Sequence, residues 1–174
     1  MKLKQINIRK VVRNTALFLS VIMFTAVSTG AFAGNVNFSG DWKLNESKST
    51  LGQFNRAAKS MKIQGNVESI AIQRVSTNRA GEAVTTDEKL TFDDKETEST
   101  VFGNSKKKSK AKWSDDGKKL TVKSTIAFDR NGETTEIKTT EVWTLSDDGK
   151  TLTIESTTES PQGTNSTKMV YDKA

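Results

Sequence analysis

From Met61 onward, polar and apolar positions alternate with a period of two, in short runs rich in Thr, Val and Ile broken by Gly, Asn and Asp. Successive side chains of a strand point to opposite faces, so this pattern predicts strands with one apolar face. It places them at Phe38–Leu44, Met61–Gly65, Ser69–Val75, Ala83–Phe92, Glu96–Phe102, Ser109–Trp113, Lys119–Phe128, Glu133–Leu145, Thr151–Thr158 and Asn165–Tyr171. Between them, Ser114-Asp115-Asp116-Gly117-Lys118 recurs as Ser146-Asp147-Asp148-Gly149-Lys150, and Asp129-Arg130-Asn131-Gly132 separates two more alternating runs. Asp or Asn starts a tight turn and Gly accepts the positive φ that such turns require, so neighbouring strands are antiparallel hairpin partners. A sheet of about ten strands with one apolar face must close to bury that face and remove its edges. The expected fold is all-β: an antiparallel up-and-down meander closed into a barrel.

One segment departs from the period of two. Leu51, Phe54, Ala57, Ala58 and Met61 recur at three and four, with Ser49 or Thr50 able to cap the start, which predicts one short helix after the first strand. Leu51, Phe54 and Met61 would then either lid the barrel mouth or pack into its core. Gly52 works against helix here, at roughly 1 kcal/mol in a helix interior.

The chain opens with Lys2, Lys4, Arg9, Lys10 and Arg13, an apolar run from Ala16 to Val27, and Ala31-Phe32-Ala33 before Gly34. That order of charge, grease and small residues predicts a secretory signal peptide over residues 1–33. The domain proper is then residues 34–174, exported to the periplasm or beyond the cell. The apolar run falls short of the ~20 residues that span a bilayer, so no transmembrane segment is expected in the mature chain. Export also changes the charge argument. Five of the 27 basic residues lie in residues 1–33 and all 21 acidic ones lie later, so the formal +6 falls to 22 against 21, or +1. Nucleic acid is therefore not an expected partner. The chain has neither Cys nor His, which removes disulfides, a lipidated cysteine, the usual zinc and copper ligands and the usual general base. No metal, cofactor or catalytic role is expected; two carboxylates suffice for a glycosidase, but no spacing here singles out such a pair.

Phe38-Ser39-Gly40-Asp41-Trp42-Lys43-Leu44 resembles the Gly-x-Trp opening strand of the calycins, the superfamily of lipocalins and fatty-acid-binding proteins, and Val170-Tyr171-Asp172-Lys173-Ala174 is similar to the ending of the latter. The resemblance implies a barrel whose first strand is followed by helical structure and a long meander, and an interior that holds a small hydrophobic or amphipathic molecule. In that family an Arg two residues before the terminal Tyr fixes a fatty-acid carboxylate; the matching position is Met169. Trp42 reads as a plug of the barrel floor, set against a cation from Lys168 or Lys173.

Period-two counting also suggests a site. If Ile70 and Ile72 face inward, so does Arg74, and a buried Arg needs a partner. Ile137, Thr139, Glu141 and Trp143 share a face, which offers Glu141. Arg74, Glu141, Trp143, Tyr171, Trp113 and Phe54 are thus the candidate ligand-contacting residues, polar anchors in an otherwise apolar cavity. Lys106, Lys107 and Lys108, continued by Lys110 and Lys112, form a basic run that either touches an anionic surface or is a solvated face guarding against edge pairing. The expected function is an exported carrier of a small apolar or amphipathic molecule; the alternative is an envelope interaction protein whose barrel is filled by its own side chains.

Overall fold

The computed structural model describes residues 34–52, 57–78, 80–101, 105–130 and 133–174. The signal peptide expected over residues 1–33, the side chain of Phe54 and the Asn131-Gly132 turn lie outside the described residues. Ten strands follow one another: β1 Gly40–Leu44, β2 Ser60–Gly65, β3 Ser69–Thr77, β4 Ala83–Thr91, β5 Thr97–Thr100, β6 Lys106–Trp113, β7 Lys119–Arg130, β8 Glu133–Leu145, β9 Thr151–Ser160 and β10 Gly163–Lys173. Every ladder is antiparallel, and the spatial order is β4-β3-β2-β1-β10-β9-β8-β7-β6-β5. Pairing of β1 with β10 joins the start of the meander to its end, with Trp42 opposite Lys173 and Leu44 opposite Tyr171. The barrel is nearly closed: β4 and β5 end the sheet, and no ladder joins them among the described residues.

The two Ser-Asp-Asp-Gly turns are built alike, as their sequences demand. Ser114 Oγ donates to Asp116 Oδ1 at 2.6 Å and accepts from the Lys119 amide at 2.9 Å; Ser146 Oγ donates to Asp148 at 2.6 Å and accepts from the Thr151 amide at 2.9 Å. Gly117 and Gly149 sit at φ of 67° and 68°, where an L side chain is disfavoured. Turns of this end hold the flanking segments too: the Val36 amide donates to the Gly117 carbonyl and the Lys173 amide to the Lys150 carbonyl, both at 2.9 Å.

Inward positions at that end form the core. Phe38, Trp42, Leu120, Trp143, Leu152, Ile154 and Tyr171 are at most 2% exposed. In register across β6 to β10, Trp113, Leu120, Trp143, Ile154 and Met169 face one another. Phe38 stacks on Trp113 at 5.5 Å between centroids and meets Trp143 edge-on at 5.8 Å, arrangements that the ring quadrupoles favour. Trp42 closes the floor, its indole N–H on the Phe38 carbonyl at 2.9 Å and Lys173 Nζ 5.5 Å from its ring centroid; of the two cations offered by the sequence, Lys173 is the one used.

The short helical element after β1 is a single 3-10 turn, Glu46–Lys48, with Asn45 accepting from the Lys48 amide. It lies upstream of the expected stripe. Leu51, Gly52, Ala57 and Ala58 belong to no regular element, and Met61 stands inside β2. Met61 therefore lines the barrel wall and is not part of a lid: it alternates with Ile63, and pairing on both sides, to Trp42 and to Arg74, outweighs a helix periodicity interrupted by Gly52. Among the described residues, no helix is long and apolar enough to cross a membrane.

Candidate ligand site in the barrel interior

Four charged side chains turn inward from four strands. Arg74 on β3 is paired in register with Met61 and Thr86, Glu88 on β4 with Ile72, Lys107 on β6 with Ile126, and Glu141 on β8 with Val122 and Ser156. Their neighbours in the pleat fix this direction, since directly opposed residues share a face. Arg74 Nη2 lies 3.1 Å from Glu141 Oε2 and 3.9 Å from Glu88 Oε2. Lys107 Nζ lies 2.8 Å from Glu88 Oε1, and Ser109 Oγ donates to the same oxygen at 2.8 Å. Trp143 Nε1 donates to Glu141 Oε2 at 2.9 Å, while the Arg74 guanidinium stands 5.3 Å from the Trp143 ring centroid. Two cations thus meet two carboxylates in one buried group.

The energetics of that group explain its charge state. Burial pushes the Glu141 pKa up, but the adjacent Arg74 and Lys107 charges and the indole hydrogen bond outweigh it and hold the carboxyl below its ordinary value. Burial likewise opposes the Arg74 charge, and Glu141, Glu88 and Tyr171 together keep its pKa above the usual one. Tyr171 is pushed up to about 12, chiefly by burial, with Arg74 opposing and Glu141 adding. Its hydroxyl points to Met169 Sδ at 3.9 Å. Neither end of the pair is sealed: the Arg74, Glu141 and Lys107 side chains keep 16%, 12% and 14% of their surface accessible. Arg74 Nε, by contrast, is buried without a hydrogen-bond partner.

Between the levels of Glu141 and Lys107 the wall changes character. Thr97, Ser109, Ser124, Thr139, Thr158 and Asn165 face one another in register across β5 to β10, a belt of hydrogen-bonding side chains six strands wide. Thr139 and Thr158 share a hydrogen bond of 3.2 Å. Ile126 and Ile137 lie beside the belt, and these positions toward the far ends of β7 and β8 are half-buried, unlike the dry floor. The interior is therefore a closed apolar floor, a charged shelf and a polar wall that is buried at Ser109 and Ser124 and more open at Thr139, Thr158 and Asn165.

Of the residues singled out in the sequence, Arg74, Glu141, Trp143 and Tyr171 come together at the shelf. Trp113 does not: it stacks on Phe38 in the floor and meets Phe92 at 5.4 Å. Glu88 and Lys107 were missed as site residues. The signal for Lys107 was present, because Lys107, Ser109, Ala111 and Trp113 share one parity while Lys106, Lys108, Lys110 and Lys112 take the other. Lys107 therefore does not belong to the outward basic run, which keeps Lys106, Lys108, Lys110 and Lys112. Lys107 is drawn inward by Glu88, while outside Lys106 pairs with Glu98 at 3.2 Å and Lys108 with Glu96 at 3.1 Å. A groove of about 610 Å³ lies at the β4/β5 seam, lined by Lys62, Gln73, Asp87, Lys89 and Glu98 together with the inward-facing Ile72 and Glu88.

Ten antiparallel strands in sequence order, closed through β1 and β10 and followed after β1 by one helical turn, agree with the resemblance that Gly40-Asp41-Trp42 suggested. The architecture is a nearly closed, ten-stranded antiparallel up-and-down barrel. No protein-family model and no curated protein matches the chain. Among solved structures it is similar to the crystal structure of the zebrafish ileal bile acid-binding protein complexed with cholic acid, at 18% identity and a TM-score of 0.46, over 79% of this chain and 98% of that one.

Proposed function

We propose that this calycin-like barrel is an exported, non-catalytic binding protein that holds a small hydrophobic or amphipathic molecule in its accessible half. The observation that carries the reading is the shelf of Arg74, Glu88, Lys107 and Glu141 between a dry floor and a hydroxyl-lined wall. Burying charge costs several kcal/mol per ion, and a well-packed apolar layer at the same level would be as stable or more so. A chain that keeps the charges keeps them for something besides stability, and concave apolar sites with a few convergent polar groups are where small molecules bind. Apolar parts of the ligand would lie against Ile126 and Ile137, gaining about 25 cal/mol for each Å² removed from water. Export rests on the basic, apolar and Ala31-Phe32-Ala33 order of residues 1–33.

One observation favours a second reading, an envelope protein with a self-filled barrel: each buried charge already has its counter-charge within the chain. Native mass spectrometry of the protein as its host processes it separates the two. A reproducible small apolar adduct, released on denaturation, supports the carrier, and the mass of the same sample reads removal of residues 1–33. A clean apo mass, with no displacement of a hydrophobic dye by lipids, would leave the filled barrel standing.

A further inference from the structure

We infer that the molecule held in this barrel carries an uncharged polar head, an alcohol, amide or ester, and neither a carboxylate nor an amine; the inference rests on the binding role proposed above. The shelf is electrically complete. Arg74 is taken by Glu141 at 3.1 Å and Lys107 by Glu88 at 2.8 Å, with Arg74 to Glu88 at 3.9 Å closing the group. An incoming carboxylate would set three anions against two cations in a place largely cut off from water, and an incoming amine would do the reverse. In either case one charge loses its hydration without gaining a counter-ion, the costliest way to bury a polar group. The last strand supplies no further cation where the wall faces in, since position 169 is a buried Met and Lys168 is exposed.

What the interior does offer suits a neutral head. Arg74 Nε is a buried donor with no acceptor, and an alcohol, amide or ester oxygen meets it without changing the net charge. Across β7, β8 and β9, the inward hydroxyls of Ser124, Thr139 and Thr158 can each donate and accept, which matches groups that themselves do both. A carboxylate offers acceptors alone.

The test is a series with one alkyl chain and three heads: a long-chain fatty acid, its primary amide and its monoacylglycerol. Each is titrated into the full processed protein at neutral pH, below its own aggregation concentration, with tryptophan fluorescence as the readout. The amide and the monoacylglycerol are expected to bind about tenfold or more tightly than the acid, as one unmatched buried charge implies. Glu88→Gln and Glu141→Gln each leave the shelf one anion short, so in either variant the affinity of the acid relative to the amide and the monoacylglycerol should rise about tenfold. Two variants are used, with circular dichroism as the check, because one alone can fail to fold. Equal or tighter binding of the acid by the unmodified protein overturns the inference and leaves the carrier role intact, as does no gain in a folded variant. Binding of none of the three removes the carrier role itself.

Discussion

The two halves of the barrel interior are made from the same strands by the same alternation, yet they solve opposite problems. Toward the Ser-Asp-Asp-Gly turns, Leu120, Leu152 and Ile154 are fully buried among Trp42, Trp143 and Phe38, and each adds stability in proportion to the apolar area it removes from water. A few residues further along the same strands the inward positions become Ser124, Ser156 and Thr139, crossed by the Arg74 and Glu141 pair. One half holds the fold together, and the other is held in place by it. On the binding role proposed above, stability and recognition are divided by level within the barrel and not by strand.

Breaking the polar half should show that division most sharply. Arg74→Met leaves Glu141 buried without its cation and is expected to cost about 3–5 kcal/mol, read as a lower urea midpoint at unchanged m-value. Adding Glu141→Leu to Arg74→Met should restore most of the loss, because an apolar pair does not need the compensation that an orphaned charge does. If the double variant stays as unstable as the single one, the shelf is a stability device and the division fails. In the dry half, Leu120→Ala should cost about 2–5 kcal/mol with no second substitution able to cancel it by charge neutralisation.

Acidification separates the halves without mutation. The Glu141 pKa is held below its ordinary value of 4.5, so the unfolded chain takes up that proton first. Stability from this group is complete above the unfolded value and is lost as pH falls through the folded one. Thermal melts between neutral pH and strong acid should decline through this window, and the Glu141→Gln variant should decline less. The smallest effect belongs to the floor's cation: Lys173→Met removes the charge 5.5 Å from the Trp42 ring and should cost about 0.5–1 kcal/mol.

The sequence made the strands legible because period two is strong in this chain, and β8, for instance, has the expected bounds Glu133–Leu145. Arg74 was legible for the same reason, since its parity is that of Ile70 and Ile72, and Glu141 shares the parity of Trp143. Glu88 was harder to read: it shares the parity of Val84 and Leu90, but in Thr85-Thr86-Asp87-Glu88-Lys89 both faces are polar, so no local contrast marks it as inward. The helical turn after β1 is present, but Met61 of the expected stripe belongs to a strand, for a related reason. A stripe at three and four in a short segment competes with strand pairing that local spacing cannot reveal, and Met61 is claimed by Trp42 and Arg74 from other strands.

The partnership of the first and last strands carries a further consequence, for how the chain folds. Asn45 and Asp172, hydrogen-bonded at 2.6 Å, are 127 residues apart, while the other ladders join strands that follow each other in sequence. The circle is interrupted instead at β4 and β5. A circular permutant opened in the 92–96 connection, with its old ends linked, would run β5 to β10 and then β1 to β4, so that each ladder became a local hairpin or a single short crossing. Because long-range closure slows folding, the barrel's native order places its slowest step at the seam that seals the floor, and the permutant would be the faster-folding version of the same molecule.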